Sequence, residues 1–302
     1  MFLDDAMAAA VRSVRLRMEL LPWECLESMA GELPPPPSFR EAVTRANGRP
    51  RLVAEVKRSS PSAGVIRQHA PVAAIAAEYE RGGASAVSVL TSDYRFGGCV
   101  ADLEEARSAC GLPLLRKDFI SREYQVLEAR AFGASAVLLI AEALSAERLD
   151  SLATYARELG MEALVESHSP GGLEKAVASG AKVLGINNRD LATLEVDTGT
   201  TERLMPLVPP GVVVVSESGV RTVECARRMA SLGVDALLMG EEFMRAPMPG
   251  RRLREFVEAL KAAVEDESVG EAGGGEPGRD GLVRETGSTY KDSEGEVYGS
   301  CG

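Results

Sequence analysis

Residues 113–140 read PLLRKDFISREYQVLEARAFGASAVLLI, and this stretch decides the fold class. The apolar runs at its two ends, 113–119 and 136–140, have the length of buried strands. Between them, residues 121–131 have helical apolar spacing, and Gly133 follows where a helix would end. The stretch therefore predicts a strand, a helix and a second strand parallel to the first, which is one βαβ unit.

The same unit recurs in both directions along the chain. Six further apolar runs have strand length: LVAEV (52–56), AVSVL (86–90), EALVE (162–166), KVLGIN (182–187), VVVVSES (212–218) and DALLMG (235–240). Helical spacing separates them, for example at 71–81, 146–159 and 222–232, and each of these stretches is followed by glycine. Eight strands that alternate with helices predict an α/β fold, the (β/α)8 TIM barrel. An open doubly wound sheet is the alternative that this pattern leaves.

Two segments flank the predicted strands. We expect a single domain over residues 1–265, which includes a helical N-terminal extension over 1–50. The extension either caps the bottom or side of the barrel or forms a lid near its mouth, and the sequence leaves both open. Beyond Val264 the composition changes to Gly, Glu, Asp and Ser, which cannot bury enough apolar surface to offset the entropy of ordering. Residues 266–302 are therefore predicted to be a disordered acidic tail.

Composition excludes several classes of partner. The chain has 302 residues, a hydrophobic content of 45% and a net charge of −11. Ten acidic and three basic residues lie beyond Val264, so residues 1–264 carry only −4. A folded part so close to neutral has no basic face for nucleic acid, and an anionic ligand needs a local site.

Cysteine and histidine usage indicates compartment and chemistry. The five cysteines are scattered without a CxxC pair, which is typical of a reducing cytoplasm. With only His69 and His168 present, a His/Cys metal cluster is not expected. No apolar run approaches the roughly 20 residues of a membrane span. We therefore expect a cytoplasmic protein with no membrane contact.

Polar side chains at the predicted strand ends are the candidates for chemistry, because barrel enzymes place catalytic residues there. Glu55 and Lys57 share one face of the first strand, and Lys117, Glu166 and Glu217 end three others. Acids and bases that converge on one rim can tune each other's pKa values, which general acid–base catalysis requires. The two histidines are expected outside this group.

A phosphate site is predicted beside these residues. The seventh strand runs into Ser218-Gly219, and the eighth runs into Gly240-Glu241. In many barrels the loops after these two strands hold phosphate through backbone N–H groups and a helix N-terminus. Glycine lets the backbone approach the anion closely. Glu241 is expected to donate its N–H while its side chain points away.

Five motifs resemble those of indole-3-glycerol phosphate synthases. They are AEVKRSSPSAG (54–64), LPLLRKDFISREYQVLEARAFGASAVLLIAEAL (112–144), GINNRDL (185–191), VSESGV (215–220) and ALLMGEEFM (236–244). The resemblance covers roughly residues 20–260 in the same order. Two positions depart from the pattern: Ser167 stands where a small apolar residue is expected, and Glu241 is Ser in some relatives.

The resemblance implies a carboxy-lyase of tryptophan biosynthesis. Its substrate would be 1-(2-carboxyphenylamino)-1-deoxyribulose 5-phosphate, which is converted to indole-3-glycerol phosphate with release of CO2 and water. No cofactor and no metal would be needed. Lys117 would be the general acid at the sugar carbonyl, with Glu166 as its partner base. Glu55 and Lys57 would serve the later dehydration, and the division of work between the two lysines is left open.

The remaining residues of the site would position and bind the substrate. Asn187 and Glu217 would orient the substrate hydroxyls and Lys117. The other contacts would be Arg189 and Ser60 at anionic groups, Phe96, Phe119 and Leu138 at the aromatic ring, and Ser218, Gly219, Gly240 and Glu241 at the phosphate.

Two alternatives to this function are a phosphoribosyl isomerase and a catalytically inactive binding module. A phosphoribosyl isomerase would use a Cys/Asp or Asp/Asp pair at strand ends, and no cysteine ends a predicted strand. A catalytically inactive barrel kept as a binding module would not need the set of acids and lysines intact. The sequence therefore favours the ring-closing enzyme.

Overall fold

The computed structural model describes the backbone of residues 1–272 and the side chains of residues 1–262. Eight parallel strands form the centre of this part. They are β1 (Arg51–Val56), β2 (Ala86–Leu90), β3 (Leu114–Lys117), β4 (Ala136–Ile140), β5 (Glu162–Ser167), β6 (Val183–Asn187), β7 (Val213–Glu217) and β8 (Ala236–Met239). Each of the eight strands predicted from the sequence is present.

The strands close into a barrel. Each pairs in parallel with its neighbours in sequence, and β1 pairs with both β2 and β8. Closure pairs both edges of every strand. The fold is therefore the predicted TIM barrel and not the open doubly wound sheet. In the loop after β1, Ser59–Ser60 and Gly64–Val65 form a short antiparallel pair.

Helices surround the described barrel, and several of them begin at a side-chain cap or end at a glycine. The ring consists of α4 (Val72–Gly82), α5 (Ala101–Ala109), α6 (Glu123–Ala131), α7 (Ala146–Glu158), α8 (Pro170–Ala178), α9 (Gly199–Leu204), α10 (Val223–Ser231), α11 (Glu241–Arg245) and α12 (Pro249–Ala272), with a 3-10 turn at Met205–Leu207. The side chains of Ser145, Ser169 and Thr222 cap three of the N-termini. The glycines predicted to end helices adopt the left-handed backbone that such ends require, as Gly83 and Gly133 do.

The alternation of the strands separates two apolar layers. Outward residues such as Val87 and Leu139 pack against the helices, whereas Val53, Leu115 and Val215 fill the lower part of the barrel interior. Charged side chains in the interior gather near the C-terminal ends of the strands, while the lower interior is mainly apolar apart from Glu162 at the start of β5. The polar end of the barrel is where a site can form.

The N-terminal extension contributes to both ends of the barrel. It contains α1 (Phe2–Leu20), α2 (Trp23–Glu32) and α3 (Phe39–Val43). Buried Phe39 of α3 packs with the lower interior, and its N–H donates to Glu162 at the start of β5, 2.7 Å away. At the other end, Phe2 of α1 lines the cavity at the mouth. The extension therefore covers the bottom of the barrel and also contributes a side chain to the cavity at its mouth.

The last described helix, α12, runs past residue 265. Helix α12 continues to Ala272, seven residues into the segment 266–302 that the sequence predicts to be disordered. Adding residues to an existing helix costs little, and the glycine run at 273–275 comes only later in the sequence. The rest of the predicted tail, 273–302, lies outside the described residues. Among the helices that are described, none is long and apolar enough to cross a membrane.

A glycine contact between α4 and α12 gives a test of the packing outside the barrel. A Cβ at Gly250 would lie 2.4 Å from the backbone oxygen of Glu78, so Gly250→Ala must push the two helices apart. Overpacking of this kind costs about 1–3 kcal/mol. We expect Gly250→Ala to lower Tm by roughly 2–10 °C. Gly171→Ala is the control, because a Cβ there meets nothing within 4 Å. Equal melting temperatures for both variants would show that the helices tolerate the added methyl.

Candidate active site

A cavity of about 1070 Å³ opens at the C-terminal ends of the strands. It has the size of a site for a small organic ligand. All fifteen residues selected from the sequence line it: Glu55, Lys57, Ser60, Phe96, Lys117, Phe119, Leu138, Glu166, Asn187, Arg189, Glu217, Ser218, Gly219, Gly240 and Glu241. The structure thus brings together side chains from six strands and from the loops that follow them.

Lys117 lies at the centre of the polar layer. Its side chain crosses the interior from β3, and its Nζ lies 2.5 Å from Glu166 Oε2 on β5 and 2.5 Å from Glu217 Oε2 on β7. Both carboxylates are almost fully buried, with side-chain exposures of 3% and 1%. Asn187 on β6 donates to the other oxygen of Glu166 at 2.8 Å, which fixes that carboxylate. One ammonium therefore connects three strands.

The charges in this cluster shift each other's pKa values. Burial opposes the charge on Lys117, but Glu166, Glu217 and Glu55 outweigh it and raise the pKa of Lys117. Burial also disfavours the charge on Glu166, yet Lys117 and the amide of Asn187 lower its pKa. For Glu217, burial and the repulsion from Glu166 dominate and raise the pKa to about 8. These shifts favour a charged lysine, a charged Glu166 and a protonated Glu217.

Glu55 and Lys57 form a second ion pair on β1 and its exit. Lys57 Nζ lies 2.7 Å from Glu55 Oε1, and the Lys57 side chain is 17% exposed. Both residues face the same cavity as Lys117. The site thus contains two separate lysine–carboxylate groups, one shared among β3, β5 and β7 and one on β1.

An aromatic cluster forms one wall of the cavity. The rings of Phe96 and Phe119 lie 6.1 Å apart, and Phe2 from α1 packs 6.4 Å and 6.1 Å from them. Leu138 adds an aliphatic face. The sequence interpretation did not include Phe2, because no local pattern shows where α1 docks. The arrangement can hold a flat aromatic group.

A second part of the cavity wall, formed by the loops after β7 and β8, has the features of an anion site. Ser218 and Gly219 after β7 have positive φ angles of 63° and 82°. The left-handed conformation is unfavourable for a residue with a side chain, so the backbone at Ser218 is strained. Gly240 precedes the short α11, where Glu241 Oε1 accepts from Arg245 Nε at 3.0 Å. The carboxylate of Glu241 is therefore held along its own helix. Arg221, which the sequence interpretation missed, also lines this wall.

The two glycines of this wall have a further reason to lack side chains. A Cβ at Gly219 would lie 2.8 Å from Thr198 and 2.9 Å from Val196, and one at Gly240 would lie 2.7 Å from Glu55 Oε1. The sequence interpretation required these glycines only to let an anion approach. The structure adds that neighbouring protein atoms occupy the space, so packing demands glycine as well.

Three polar residues near the site serve other contacts. His168 does not line the cavity and lies 3.6 Å from Glu142 and 3.6 Å from Asp190, while His69 is exposed. Ser167, the departure from the motif, is buried and donates to Glu142 at 2.8 Å. These positions agree with the prediction that neither histidine belongs to the acid–base group.

Asp118 lines the cavity, and the sequence interpretation did not select it. One oxygen accepts from Arg116 at 2.9 Å and from Thr91 at 2.8 Å, and the other accepts from the N–H of Phe119. Its carboxylate is thus occupied in holding the end of β3.

Sequence comparisons agree with this geometry. A family model described as indole-3-glycerol phosphate synthase matches residues 3–256. The chain belongs to the indole-3-glycerol phosphate synthase family. The match begins at Leu3, within α1, so it covers almost all of the N-terminal extension.

Curated relatives named indole-3-glycerol phosphate synthase match most of the chain. The protein from Dehalococcoides mccartyi (strain CBDB1) is 43% identical over 261 residues, which is 85% of this chain and 100% of the relative. The protein from Beutenbergia cavernae is 49% identical over 217 residues, 72% of this chain and 80% of the relative. The protein from Campylobacter curvus is 42% identical over 247 residues, which is 81% of this chain and 95% of the relative.

Solved structures with the same barrel are more distant. Thiamine phosphate pyrophosphorylase from Pyrococcus furiosus aligns with a TM-score of 0.55 at 17% identity, over 74% of this chain and 98% of that chain. KGPDC from Streptococcus mutans aligns with a TM-score of 0.55 at 14% identity, over 70% of this chain and 98% of that chain. At these identities the likeness shows the fold alone, while the family model assigns the indole-3-glycerol phosphate synthase family.

The raised pKa of Glu217 predicts a pH dependence of stability. Between its ordinary value of 4.5 and about 8, folded Glu217 holds a proton that the unfolded chain releases, so its contribution to the free energy of unfolding falls as pH rises through this window. Glu217→Gln has no titrating proton there. The stability of the wild type relative to this variant should therefore be greater at about pH 5 than at about pH 9, measured by urea unfolding. A difference that stays constant with pH would mean that Glu217 is ionised in the folded protein.

Proposed function

We propose that this chain closes the indole ring of 1-(2-carboxyphenylamino)-1-deoxyribulose 5-phosphate and releases CO2 and water to give indole-3-glycerol phosphate. The observation that carries the proposal is the Lys117 ammonium, 2.5 Å from each of two buried carboxylates, in a cavity that is also lined by three phenylalanines and by the loops after β7 and β8. Members of the family are carboxy-lyases of tryptophan biosynthesis, which supports the same reaction.

The shape of the cavity suggests how this substrate binds. The carboxyphenyl ring packs between Phe2, Phe96 and Phe119, beside Leu138. The phosphate takes backbone N–H donors of Ser218 and Gly219 and of Gly240 and Glu241 at the start of α11. Arg189 and Ser60 bind the ring carboxylate or the phosphate. With the carboxyphenyl ring and the phosphate bound in this way, the sugar carbonyl between them lies at the level of Lys117.

Ring closure uses the central cluster. The ring carbon that bears the carboxylate attacks the sugar carbonyl carbon, and a carbon–carbon bond forms while the carbonyl π bond breaks. Lys117 donates its proton to the carbonyl oxygen, and Glu166 opposes the positive charge that develops on the nitrogen. Asn187 keeps Glu166 aimed at Lys117, and Glu217 holds Lys117 from the other side.

Two further steps restore the aromatic system. Loss of CO2 returns the electron pair of the broken carbon–carbon bond to the ring and neutralises the nitrogen. Dehydration then removes the hydroxyl made in the first step together with a proton from the adjacent carbon. Glu55 takes that proton and Lys57 protonates the leaving hydroxyl, which suits a lysine and a carboxylate 2.7 Å apart on β1.

The isomerase alternative finds little support among the residues that line the cavity. They include one aspartate, Asp118, and no cysteine. Asp118 is buried and held by Arg116 and Thr91. A carboxylate so held is not free to move a proton on a sugar.

We also propose that residues 1–265 act as one domain. The support is that Phe2, in the extension, and Lys117, in the barrel, line the same cavity. The boundary at 265 and the predicted tail after it remain predictions.

Turnover of the substrate tests the proposed function. The full-length protein is mixed with 1-(2-carboxyphenylamino)-1-deoxyribulose 5-phosphate, and the fluorescence of the indole product is followed together with released CO2. Indole formation and CO2 release in equal amounts are the expected result. A protein that binds the substrate and forms neither product would be a binding module.

The two lysines are separated by matched substitutions. Lys117→Met keeps the length of the side chain and removes the proton, so kcat should fall by at least about a hundredfold, because positioned proton transfer is worth about 10²–10⁴-fold. KM should change far less, since the aromatic and phosphate contacts remain. Lys57→Met should leave ring closure intact and slow dehydration, so an intermediate accumulates. Single-turnover measurements on both variants check this. Ring closure that survives in Lys117→Met but fails in Lys57→Met would exchange the two roles.

A further inference from the structure

Gly185 occupies a position in the barrel interior where a side chain is expected. It lies in the middle of β6, between Val183, which packs in the lower interior, and Asn187, which lines the cavity. Alternation along a strand points residues 183, 185 and 187 to the same face. Glycine in a strand interior weakens the strand, so an alanine would be favoured if it fitted.

The backbone does not explain this glycine. Gly185 is absent from the glycines with positive φ, so its conformation is one that other residues adopt. The reason is the position of a neighbouring side chain. A Cβ at Gly185 would lie 2.3 Å from Glu217 Oε1 and 3.4 Å from Glu217 Cδ. The third nearest atom would be Glu166 Cα at 3.4 Å, an ordinary contact.

The carboxyl group of Glu217 therefore fills the volume that a side chain at 185 would take. Its Oε1 is buried and accepts no hydrogen bond from the described residues, while its Oε2 contacts Lys117. No hydrogen bond from the described residues therefore fixes the position of Oε1. The wall formed by Gly185 is what this oxygen packs against.

We propose that Gly185 is a positioning residue: its missing side chain keeps open the space in which Glu217 reaches the Lys117 ammonium. The inference rests on the proposed function, because it assigns Gly185 a part in the same reaction. Gly240 has a similar relation to Glu55, since a Cβ there would lie 2.7 Å from Glu55 Oε1. Gly240 also belongs to the proposed phosphate loop, so Gly185 gives the cleaner test.

Gly185→Ala is a selective probe of this role. The closest atom is the end of a flexible side chain, so Glu217 should move and the strand should stay. Misplacement of a catalytic group by about 1 Å can cost about a hundredfold in rate. We expect kcat to fall at least about tenfold, with KM changed less than about threefold, since the phosphate and aromatic contacts are untouched.

Two controls separate positioning from damage to the fold. Gly171→Ala has no atom within 4 Å of its new Cβ and should keep wild-type kcat and Tm. Gly185→Ala should keep a Tm close to that of the wild type while kcat falls. A Tm that falls together with kcat would indicate a distorted barrel, and the proposal would be wrong.

A double-mutant cycle with Glu217→Ala is the decisive measurement. If Gly185 acts only through Glu217, adding Gly185→Ala to Glu217→Ala should lower the single-turnover rate by less than about twofold. Rate losses that multiply in the double variant would show that Gly185 acts elsewhere.

The failure of this inference is distinguishable from failure of the proposed function. A wild-type protein that forms no indole would contradict the proposed function and leave the geometry to be tested directly. A crystal structure of Gly185→Ala settles that part without turnover. Glu217 displaced from Lys117 supports the positioning role, and an unchanged Lys117–Glu217 contact overturns it.

Discussion

The upper half of the barrel is organised by the burial of one ammonium group. An isolated charge in a protein interior is costly unless it is paired and hydrogen-bonded, and Lys117 is paired with both Glu166 and Glu217. Two carboxylates around one cation would leave an excess negative charge. The raised pKa of Glu217 removes that excess, because its proton makes the cluster neutral.

The strand that carries Lys117 is itself anchored by a second buried cation. Arg116, the preceding residue, points to the opposite face and is fully buried. It contacts Asp118 at 2.9 Å and Glu128 of α6 at 2.9 Å, and Arg17 of α1 contacts the same Glu128 at 2.7 Å. This chain of contacts connects the N-terminal extension to β3. The helix that brings Phe2 to the cavity is thus tied to the strand that brings Lys117.

Sequence patterns predicted the parts of the site that depend on local periodicity. Short apolar runs predicted the eight strands. The acids and lysines of the site were predicted because they stand at strand ends, where an apolar residue would otherwise fill the barrel. Phe2 was missed because its place depends on how α1 docks, which no local spacing records. Gly185 was passed over because a glycine in a strand has meaning only once its cross-strand neighbour is known. The reason given for Gly219 was incomplete in the same way, since Thr198 and Val196 come from a different loop.

The separation of the two lysines gives a physical basis for running two proton-transfer steps in one cavity. Lys117 is held by two buried carboxylates and cannot move far without leaving a buried charge unpaired, so it suits a step whose geometry must be fixed. Lys57 has one partner and is slightly more exposed, at 17% against 12%, so it can follow a substrate whose shape has changed after ring closure. The carbonyl carbon becomes tetrahedral in the first step and planar again in the last. Under the proposed mechanism, a rigid donor for the first step and a more exposed one for the last would match the order of the chemistry.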